Sequence, residues 1–246
     1  MRAYKDMEEA VKENIRDLLV RGITTETKSY QDKKLSGEDR FVKELIGVSF
    51  RIDKPLLKRK EALQYIFKDE ADKIEKYCIQ EVKDRTSGKQ LNPGNSYLIR
   101  ADMWNKFLEG GKTFSYTYSE RYWEHDQLNT VIKTLKGDKG TRQAVLMVWD
   151  SNKDMNPKKI GGGNRIPCSI GYQFLIRNDR LYCIYQMRSN DFLGHHVIDL
   201  WCTAELMKWM VGKLKSTYPS LKVGSLIYQA GSLHAFNWDL KKWVIF

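Results

Sequence analysis

Two apolar segments in the second half of the chain constrain its fold more than any other feature. Residues 170–176 and 181–187 are both rich in β-branched and aromatic side chains, and only the polar residues 177–180 separate them. Segments of this composition, joined by so short a polar turn, are typical of a β-hairpin. The sequence therefore predicts antiparallel strands in this half of the chain.

The rest of the chain alternates between helical and strand-like patterns. Apolar residues recur at helical spacing in segments 11–19, 60–83, 128–135 and 200–214, and strand-like composition marks segments 44–52, 144–149 and 223–228. The uninterrupted apolar run at 144–149 predicts a buried strand. Together these elements predict an α+β domain with a largely antiparallel or mixed sheet flanked by helices.

We expect one domain covering residues 1–246. Two stretches rich in Gly, Asn, Pro and Lys, at 87–95 and 155–164, are candidate linkers. Periodic apolar segments follow each of them closely, so we interpret both as functional loops. A single α/β core of this size buries most of the surface of its unfolded chain.

The net charge of +11 raises the question of nucleic-acid binding. The 42 basic residues are scattered among 31 acidic ones, and only residues 54–60 form a short basic cluster. This distribution favours a solvated surface over a groove for a polyanion, although it would also attract a small anionic substrate. A noncatalytic nucleotide- or nucleic-acid-binding protein remains the alternative from a different class.

The cysteines predict neither a disulfide framework nor a zinc site. None of the four, at 78, 168, 183 and 202, forms a C-x-x-C pair, which favours a reducing compartment. His195 and His196 are adjacent, but without further ligands we interpret them as polar loop residues, and we expect no metal. No apolar run approaches 18 residues and no basic-then-apolar leader is present. We therefore expect a cytoplasmic protein without membrane contact.

Cys168 and Arg188 are the main candidates for chemistry. Cys168 follows Pro167 at the junction of a loop and a predicted strand. A nucleophilic cysteine acts as a thiolate, which a neighbouring arginine favours. If the hairpin forms, Arg188 at the end of its second strand lies near the start of the first. The sequence thus predicts a thiolate beside an arginine suited to binding phosphate.

Five motifs, in this order, resemble those of the thymidylate synthase and pyrimidine hydroxymethylase family. They are DKGTR at 138–142, WD at 149–150, PC at 167–168 with YQF at 172–174, QMRSND at 186–191, and GSLH at 231–234. The resemblance covers residues 44–239. It implies a thymidylate synthase-like domain that dimerises through its sheet, and an enzyme that transfers a one-carbon unit from 5,10-methylenetetrahydrofolate to C5 of a pyrimidine nucleoside monophosphate.

The resemblance also assigns roles to individual residues. Cys168 would be the nucleophile that adds to C6, and Tyr118 would lie near the reacting carbon. Asp191 would contact both the pyrimidine and the folate. The remaining residues expected to bind substrate are Arg188, Ser189, Asn190, Gln173, His234 and, from the second subunit, Arg142. A catalytic glutamate is expected after the first strand, where Asp69 and Glu70 compete and residue type favours Glu70.

Asp199 bears on which base is bound. The family has asparagine there in thymidylate synthases and aspartate in deoxycytidylate hydroxymethylases. An asparagine amide offers a donor to uracil O4 and an acceptor to N3–H, whereas a carboxylate only accepts and matches the cytosine amino group. Asn190 and Ser169 also resemble the hydroxymethylase pattern. We therefore expect hydroxymethylation of dCMP in preference to CMP, with methylation of dUMP as the alternative.

Three positions depart from the family pattern. Gln143 stands where a second phosphate-binding arginine is common, and Arg165 is the candidate that would replace its charge. Phe236 replaces a tyrosine that would bind the sugar 3′-hydroxyl, which leaves the choice between ribose and deoxyribose open. The family's N-terminal phosphate-binding arginine has no counterpart at Gly37, and Arg40 lies several residues away.

Overall fold

A mixed β-sheet forms the centre of the computed structural model, which describes residues 1–30, 33–155 and 165–244. Most of the loop predicted at 155–164 lies outside these residues. The strands are β1 (Arg2–Asp6), β2 (Ile23–Glu26), β3 (Ser29–Tyr30), β4 (Lys33–Lys34), β5 (Phe41–Lys54), β6 (Val145–Met147), β7 (Ser169–Arg177), β8 (Arg180–Asp191) and β9 (Lys222–Phe236).

The helices are α1 (Met7–Arg21), α2 (Arg59–Phe67), α3 (Ala71–Arg85), α4 (Ala101–Trp104), α5 (Tyr118–Trp123), α6 (Gln127–Gly137), α7 (Ser151–Asp154), α8 (Val197–Leu214) and α9 (Asn237–Val244). Within the residues that the structure describes, four 3₁₀ turns lie at Gly37–Arg40, Lys68–Glu70, Ser96–Arg100 and Asn105–Phe107, and a π-helical turn spans Phe192–His196. Across the described residues, no helix combines the length and the apolar character needed to span a bilayer.

The main sheet has the strand order β1-β5-β9-β8-β7-β6, with β2 also paired to β5. Strands β7 and β8 form the predicted antiparallel hairpin, and β6 extends it on the other side of β7. Strand β9 pairs with β5 antiparallel and with β8 parallel. The predicted α+β class and mixed sheet are confirmed.

One face of the sheet packs against helices and the other is partly exposed. Along β7, β8 and β9, buried and partly exposed residues alternate, as expected for a sheet covered on one side. Helix α8 lies against β8 and β9 and is buried on most sides. The core is therefore a helix and sheet sandwich, with α8 at its centre.

Two sequence predictions need correction. The run at 144–149 is not a buried central strand: β6 is the outermost strand, and Val145 and Met147 on its outward positions are 41% and 39% exposed. The predicted helix at 60–83 is two helices, because the chain breaks at Lys68, where φ is +50° and continuous α-helix is impossible. The last strand, β9, runs on to Phe236 and includes the GSLH motif.

Candidate active site

Strand ends from four different segments meet at one edge of the sheet. The parallel register of β8 and β9 places Ser189 beside Ser232 and Asp191 beside His234, and the antiparallel register of β5 places Glu44 on the other side of His234. A cavity of about 600 Å³ opens at this edge. Its size is that of a site for a nucleotide-sized ligand.

Cys168 lies in this cavity with two donors directed at its sulfur. Nη2 of Arg188 is 3.7 Å from Sγ, and Oγ of Ser189 is 3.8 Å from Sγ. Both groups are donors within hydrogen-bonding distance of the sulfur. The structure thus brings together the cysteine and arginine that the hairpin predicts to be neighbours.

The guanidinium of Arg188 is held in place by the backbone before the cysteine. Its Nε donates to the carbonyl of Pro167 at 2.8 Å, and Nη2 donates to the carbonyl of Ile166 at 3.3 Å. Nη1 donates to Ser189 Oγ at 3.0 Å. An arginine fixed in this way presents its charge to a ligand without first losing side-chain freedom.

A hydrogen-bonded set of hydroxyls lies beneath the cysteine. Oγ of the fully buried Ser169 is 2.7 Å from the hydroxyl of Tyr118 and 2.6 Å from that of Tyr185. The Tyr118 ring packs under the guanidinium of Arg85, whose Cζ is 3.8 Å from the ring centroid. Burial raises the pKa of Tyr118 well above its usual value, so its phenol keeps its proton. Tyr118 lines the cavity, where we expected it.

Asp199 lies in the first turn of α8, 8% exposed, with its side chain lining the cavity. Burial raises the pKa of its carboxyl to about 7, although Arg85 and a hydrogen bond from Asn190 both favour the charged form. Asn190 is 2% exposed and also approaches His196. Burial raises the pKa of the nearby Tyr228 phenol well above its usual value, and the charges of Asp199 and Cys168 act in the same direction.

Two carboxylates of α3, those of Glu81 and Asp84, line the cavity, and that of Glu70 does not. Glu70 is exposed in the 3₁₀ turn before α3, as is Asp69, and neither lines the cavity. Oε1 of Glu81 accepts from Arg85 Nε at 2.8 Å, and its Oε2 accepts from Ser96 at 2.6 Å. The Glu81 and Arg85 pair, four residues apart on one helical face, was the sequence signal for this residue.

The loop after α3 closes against the same helix end. Asp84, 4% exposed, accepts from the backbone N–H of Ser96 at 2.7 Å. A Cβ added to Gly94 would lie 2.5 Å from Asp84 Oδ2, so only glycine allows this approach. Leu91 and Gly94 of the predicted loop at 87–95 line the cavity.

The other end of the cavity is aromatic. Asp191, 9% exposed, accepts from the backbone N–H of Gly194 at 3.2 Å, and burial raises the pKa of its carboxyl to about 7. The Arg165 guanidinium lies 4.9 Å from the ring centroid of Trp104 and 5.4 Å from that of Tyr116. This end offers flat apolar walls with one acid and one cation.

Two expected substrate residues do not reach this cavity. Arg142 is exposed, and Gln173 lies on the partly exposed face of β7, where its Nε2 donates to the Arg142 carbonyl at 2.8 Å. Neither lines the cavity. Gln143, at the other position expected to bind phosphate, is also exposed. Phe236 lines the cavity and stacks on Trp238, with ring centroids 4.1 Å apart.

Of the two adjacent histidines, His196 is buried in the core, and His195 is partly buried and lines the cavity. Both lie in the π-helical turn, and burial lowers the pKa of each ring to about 3. The ring of His195 packs on Trp104 with centroids 5.5 Å apart, and that of His196 packs on Phe192 with centroids 4.9 Å apart. Within residues 1–30, 33–155 and 165–244, no His, Cys, Asp and Glu side chains cluster as a metal site would require.

Comparisons with known proteins agree with the motif order. Residues 68–243 match the sequence model of a family described as "Thymidylate synthase". The chain is 28% identical over 138 residues to a protein of Methanococcoides burtonii named "Putative thymidylate synthase", a match that covers 54% of this chain and 58% of that protein. A protein of the same name from Methanocaldococcus jannaschii is 31% identical over 137 residues, covering 52% and 59%. This chain therefore spans less than two thirds of either relative.

A solved structure shares the fold over almost the whole chain. Thermostable thymidylate synthase A from Bacillus subtilis aligns with a TM-score of 0.68 over 98% of this chain and 83% of that one. The sequences are 16% identical. The predicted thymidylate synthase-like fold is confirmed.

Proposed function

Since this chain belongs to the thymidylate synthase family, we propose that it transfers a one-carbon unit to C5 of a cytidine nucleoside monophosphate, with dCMP preferred over CMP. In this proposal water supplies the hydroxyl group of the hydroxymethyl product. The observation that carries it is Asp199, a buried carboxyl at the wall of the cavity that contains Cys168. A carboxyl there, in place of an amide, suits cytosine.

The first step of the proposed reaction belongs to Cys168. Its thiolate adds to C6 of the pyrimidine and forms an S–C6 bond, while the C5=C6 electrons move towards C4 and N3. Arg188 and Ser189, within 3.8 Å of the sulfur, favour the thiolate before addition. The same two donors then lie beside the place where the 5′-phosphate would bind.

Asp199 would donate a proton to N3 of the cytosine ring. With a pKa of about 7, its carboxyl carries a proton part of the time, which refines the expectation that it only accepts. The protonated carboxyl donates to N3 of cytosine and accepts from the 4-amino group. When the thiolate adds, the proton passes to N3 and neutralises the charge that develops there. Asn190, bonded to Asp199, holds the carboxyl in position.

The aromatic end of the cavity suits 5,10-methylenetetrahydrofolate. Its pterin ring is flat and carries N–H donors, which match the ring of Trp104 and the carboxyl of Asp191. When bound, this cofactor supplies the one-carbon unit at the oxidation level of formaldehyde. Glu81, held by Arg85 and Ser96 at the cavity wall, is placed to hold the water that supplies the product hydroxyl.

We further propose that a second copy of the chain completes the phosphate site. Arg142 is exposed and lies outside the cavity of its own subunit. The partly exposed sheet face carries apolar side chains, including Val145 at 41% exposure and Met147 at 39%. A homodimer through this face would cover them and bring Arg142 of the partner subunit to the phosphate.

Methylation of dUMP is the second candidate, and one observation favours it. A protonated Asp199 presents an O–H donor and a C=O acceptor, the pair that an asparagine amide presents to uracil O4 and N3–H. The choice between the two functions therefore depends on whether the Asp199 carboxyl transfers its proton to the base or keeps it, and not only on the residue type.

Assays of the purified protein with 5,10-methylenetetrahydrofolate test the proposal. dCMP, CMP and dUMP, each labelled with tritium at C5, are supplied separately, and tritium release and product mass are recorded. We expect release from dCMP above that from CMP, with a product that carries a hydroxymethyl group. Release from dUMP alone, with a methyl product, would establish the second candidate. No release, with polynucleotide binding that weakens steeply with salt, would establish the noncatalytic alternative.

A further inference from the structure

The guanidinium of Arg85, in the last turn of α3, is buried between two other groups of the cavity wall. Arg85 is 5% exposed and lines the cavity. Its Nε donates to Oε1 of Glu81 at 2.8 Å, and the ring of Tyr118 packs on it, with 3.8 Å between Cζ and the ring centroid. Glu81 and Tyr118 line the cavity as well. The guanidinium therefore joins a carboxylate and a phenol that face the same space.

These two contacts hold the Arg85 side chain in one orientation. A guanidinium is planar and stays charged, so a ring on its face and a carboxylate at its edge fix its position. The carbonyl of Arg85 also accepts from Nε1 of Trp123 at 2.9 Å, which ties the end of α3 to α5. A buried cation without a partner is costly, and Glu81 supplies the negative charge that offsets this cost. Arg85 and Glu81 thus act as one rigid pair of opposite charges.

The lone pairs of Glu81 determine what this pair can hold. Each carboxylate oxygen can accept two hydrogen bonds. Oε1 accepts one from Arg85, and Oε2 accepts one from the hydroxyl of Ser96 at 2.6 Å. Each oxygen therefore keeps one further acceptor position, in a side chain that lines the cavity. A water bound there gives a hydrogen to the carboxylate and keeps its oxygen lone pairs free for a bond to carbon.

We propose that Arg85 is a positioning residue that directs capture of the transferred one-carbon unit by water. It holds the Glu81 carboxylate where a bound water can add to the methylene group on C5. This inference rests on the proposed function. In the step concerned, the water oxygen bonds to the methylene carbon and a proton of the water passes to Glu81. The C5=C6 bond re-forms, the S–C6 bond breaks, and Cys168 leaves as a thiolate with the bonding electrons.

Tritium release and product formation report on different steps of this reaction. Loss of the C5 hydrogen precedes the addition of water, so an enzyme that cannot position water still releases the tritium of its first turnover before it stalls. Arg85→Met keeps an unbranched side chain but removes the charge and the donors. We expect this variant to release tritium from dCMP in a single burst and to form the hydroxymethyl product about 10²-fold more slowly than the wild type.

A small thiol distinguishes a stalled reaction from a damaged active site. The thiolate fraction of 2-mercaptoethanol attacks carbon without the help of a carboxylate base. Its sulfur bonds to the methylene carbon, and its proton passes to the solvent. Added in excess to Arg85→Met, it should restore steady tritium release with a thioether product, identified by mass. Arg85→Lys keeps a cation beside Glu81 and should recover part of the hydroxymethyl product without thiol.

The same arrangement of groups occurs elsewhere in the fold and provides a matched control. Nη1 of Arg59 donates to Oε2 of Glu205 at 2.6 Å, and Cζ of Arg59 lies 4.4 Å from the ring centroid of Trp201. These three residues lie outside the cavity. Arg59→Met removes an equivalent ion pair and should leave tritium release and product formation unchanged. Binding of dCMP, measured by calorimetry, checks that each variant is folded.

Combination with Glu81→Gln tests whether Arg85 acts through the carboxylate. If it does, the double variant should form product as slowly as Glu81→Gln alone, whereas effects that multiply would overturn the inference. Equal loss of tritium release and product in Arg85→Met, without rescue by thiol, would assign Arg85 a merely structural role and overturn the inference, while leaving the proposed function intact. A wild-type enzyme that makes no hydroxymethyl product would overturn both.

Discussion

The two ends of the nucleotide cavity treat charge in opposite ways. At the phosphate end, Cys168 lies within 3.8 Å of the guanidinium of Arg188 and the hydroxyl of Ser189, which favour a negative charge. At the base end, Asp199 is buried so deeply that its pKa rises to about 7. In the proposed function, one end binds the phosphate anion and the other holds a proton near cytosine N3.

Of the changes at the two ends of the cavity, replacement of the nucleophile Cys168 should have the largest effect on turnover. Cys168→Ser keeps the shape of the phosphate end but removes the thiolate, and we expect turnover to fall by at least about 10⁴-fold. Nucleotide binding, measured by calorimetry, should persist because Arg188 and Ser189 remain. Cys202→Ala is the matched control, since Cys202 is buried on α8 outside the cavity. Substantial tritium release by Cys168→Ser would exclude the thiolate mechanism.

Mixing two inactive variants tests whether the phosphate end is shared between subunits. Arg142→Ala alone should lower kcat/KM by about 10²-fold, through loss of a charge-assisted contact to phosphate. When it is unfolded and refolded together with Cys168→Ala, heterodimers should contain one site with both Cys168 and the partner's Arg142. Activity should then reappear. If Arg142 served its own subunit, the heterodimer would gain no site beyond those of the Arg142→Ala parent.

Two glutamates, Glu81 in the cavity wall and Glu70 outside the cavity, allow a direct test of which carboxylate acts in catalysis. Glu81→Gln should lower kcat by about 10²-fold with little change in the affinity for dCMP, because Glu81 lines the cavity. Glu70→Gln is the same chemical change at an exposed position and should leave kcat unchanged. The reverse result would mean that Glu70 moves to the reacting centre during turnover.

Asp199→Asn replaces the carboxyl at the base end, which can gain and lose a proton, with an amide that cannot. An amide bonds to either base but cannot transfer a proton to N3 of cytosine, whereas it stabilises the charge that develops at uracil O4. We expect the ratio of kcat/KM for dCMP to that for dUMP to fall by about 10- to 100-fold, which corresponds to about 1 to 3 kcal/mol. An unchanged ratio would show that Asp199 does not face the base.

The predicted parts of the site are those that local pattern alone determines. The hairpin turn at 177–180 fixes β7 and β8, and with them the meeting of Cys168 and Arg188. The expectation for Asp199 came from the family resemblance and not from a local pattern, since an aspartate at the start of a helix is also a common N-cap. Glu70, the expected catalytic glutamate, lies exposed in the 3₁₀ turn that follows the break at Lys68 and does not line the cavity, which the helical pattern at 60–83 did not indicate.

Other parts depend on contacts that no local pattern encodes. The bond between Glu44 and Ser232 joins residues 188 positions apart, and it follows from the register of β5 on β9. The composition of β6 does not show that it lies at the edge of the sheet. Its apolar run is therefore predicted to be buried, although two of its side chains are exposed. The long-range register of a sheet is set by packing of whole faces, which single segments do not reveal.

We expect the smallest effect from a change of pH, measured as the preference for dCMP over dUMP. This effect reports most directly on the role of the Asp199 proton. Below pH 6 the Asp199 carboxyl, with its pKa of about 7, is mainly protonated and matches either base. As the pH rises through 7, the uracil complex loses this proton. The cytosine complex keeps it longer, because N3 is a far stronger base than O4 and shares it. The ratio of kcat for dCMP to kcat for dUMP, which reports the protonation of the two complexes, should therefore rise several-fold between pH 6 and pH 8, on the order of 1 kcal/mol. The rise should be absent in Asp199→Asn, and a ratio that falls with pH in the wild-type enzyme would mean that the cytosine complex loses this proton before the uracil complex does.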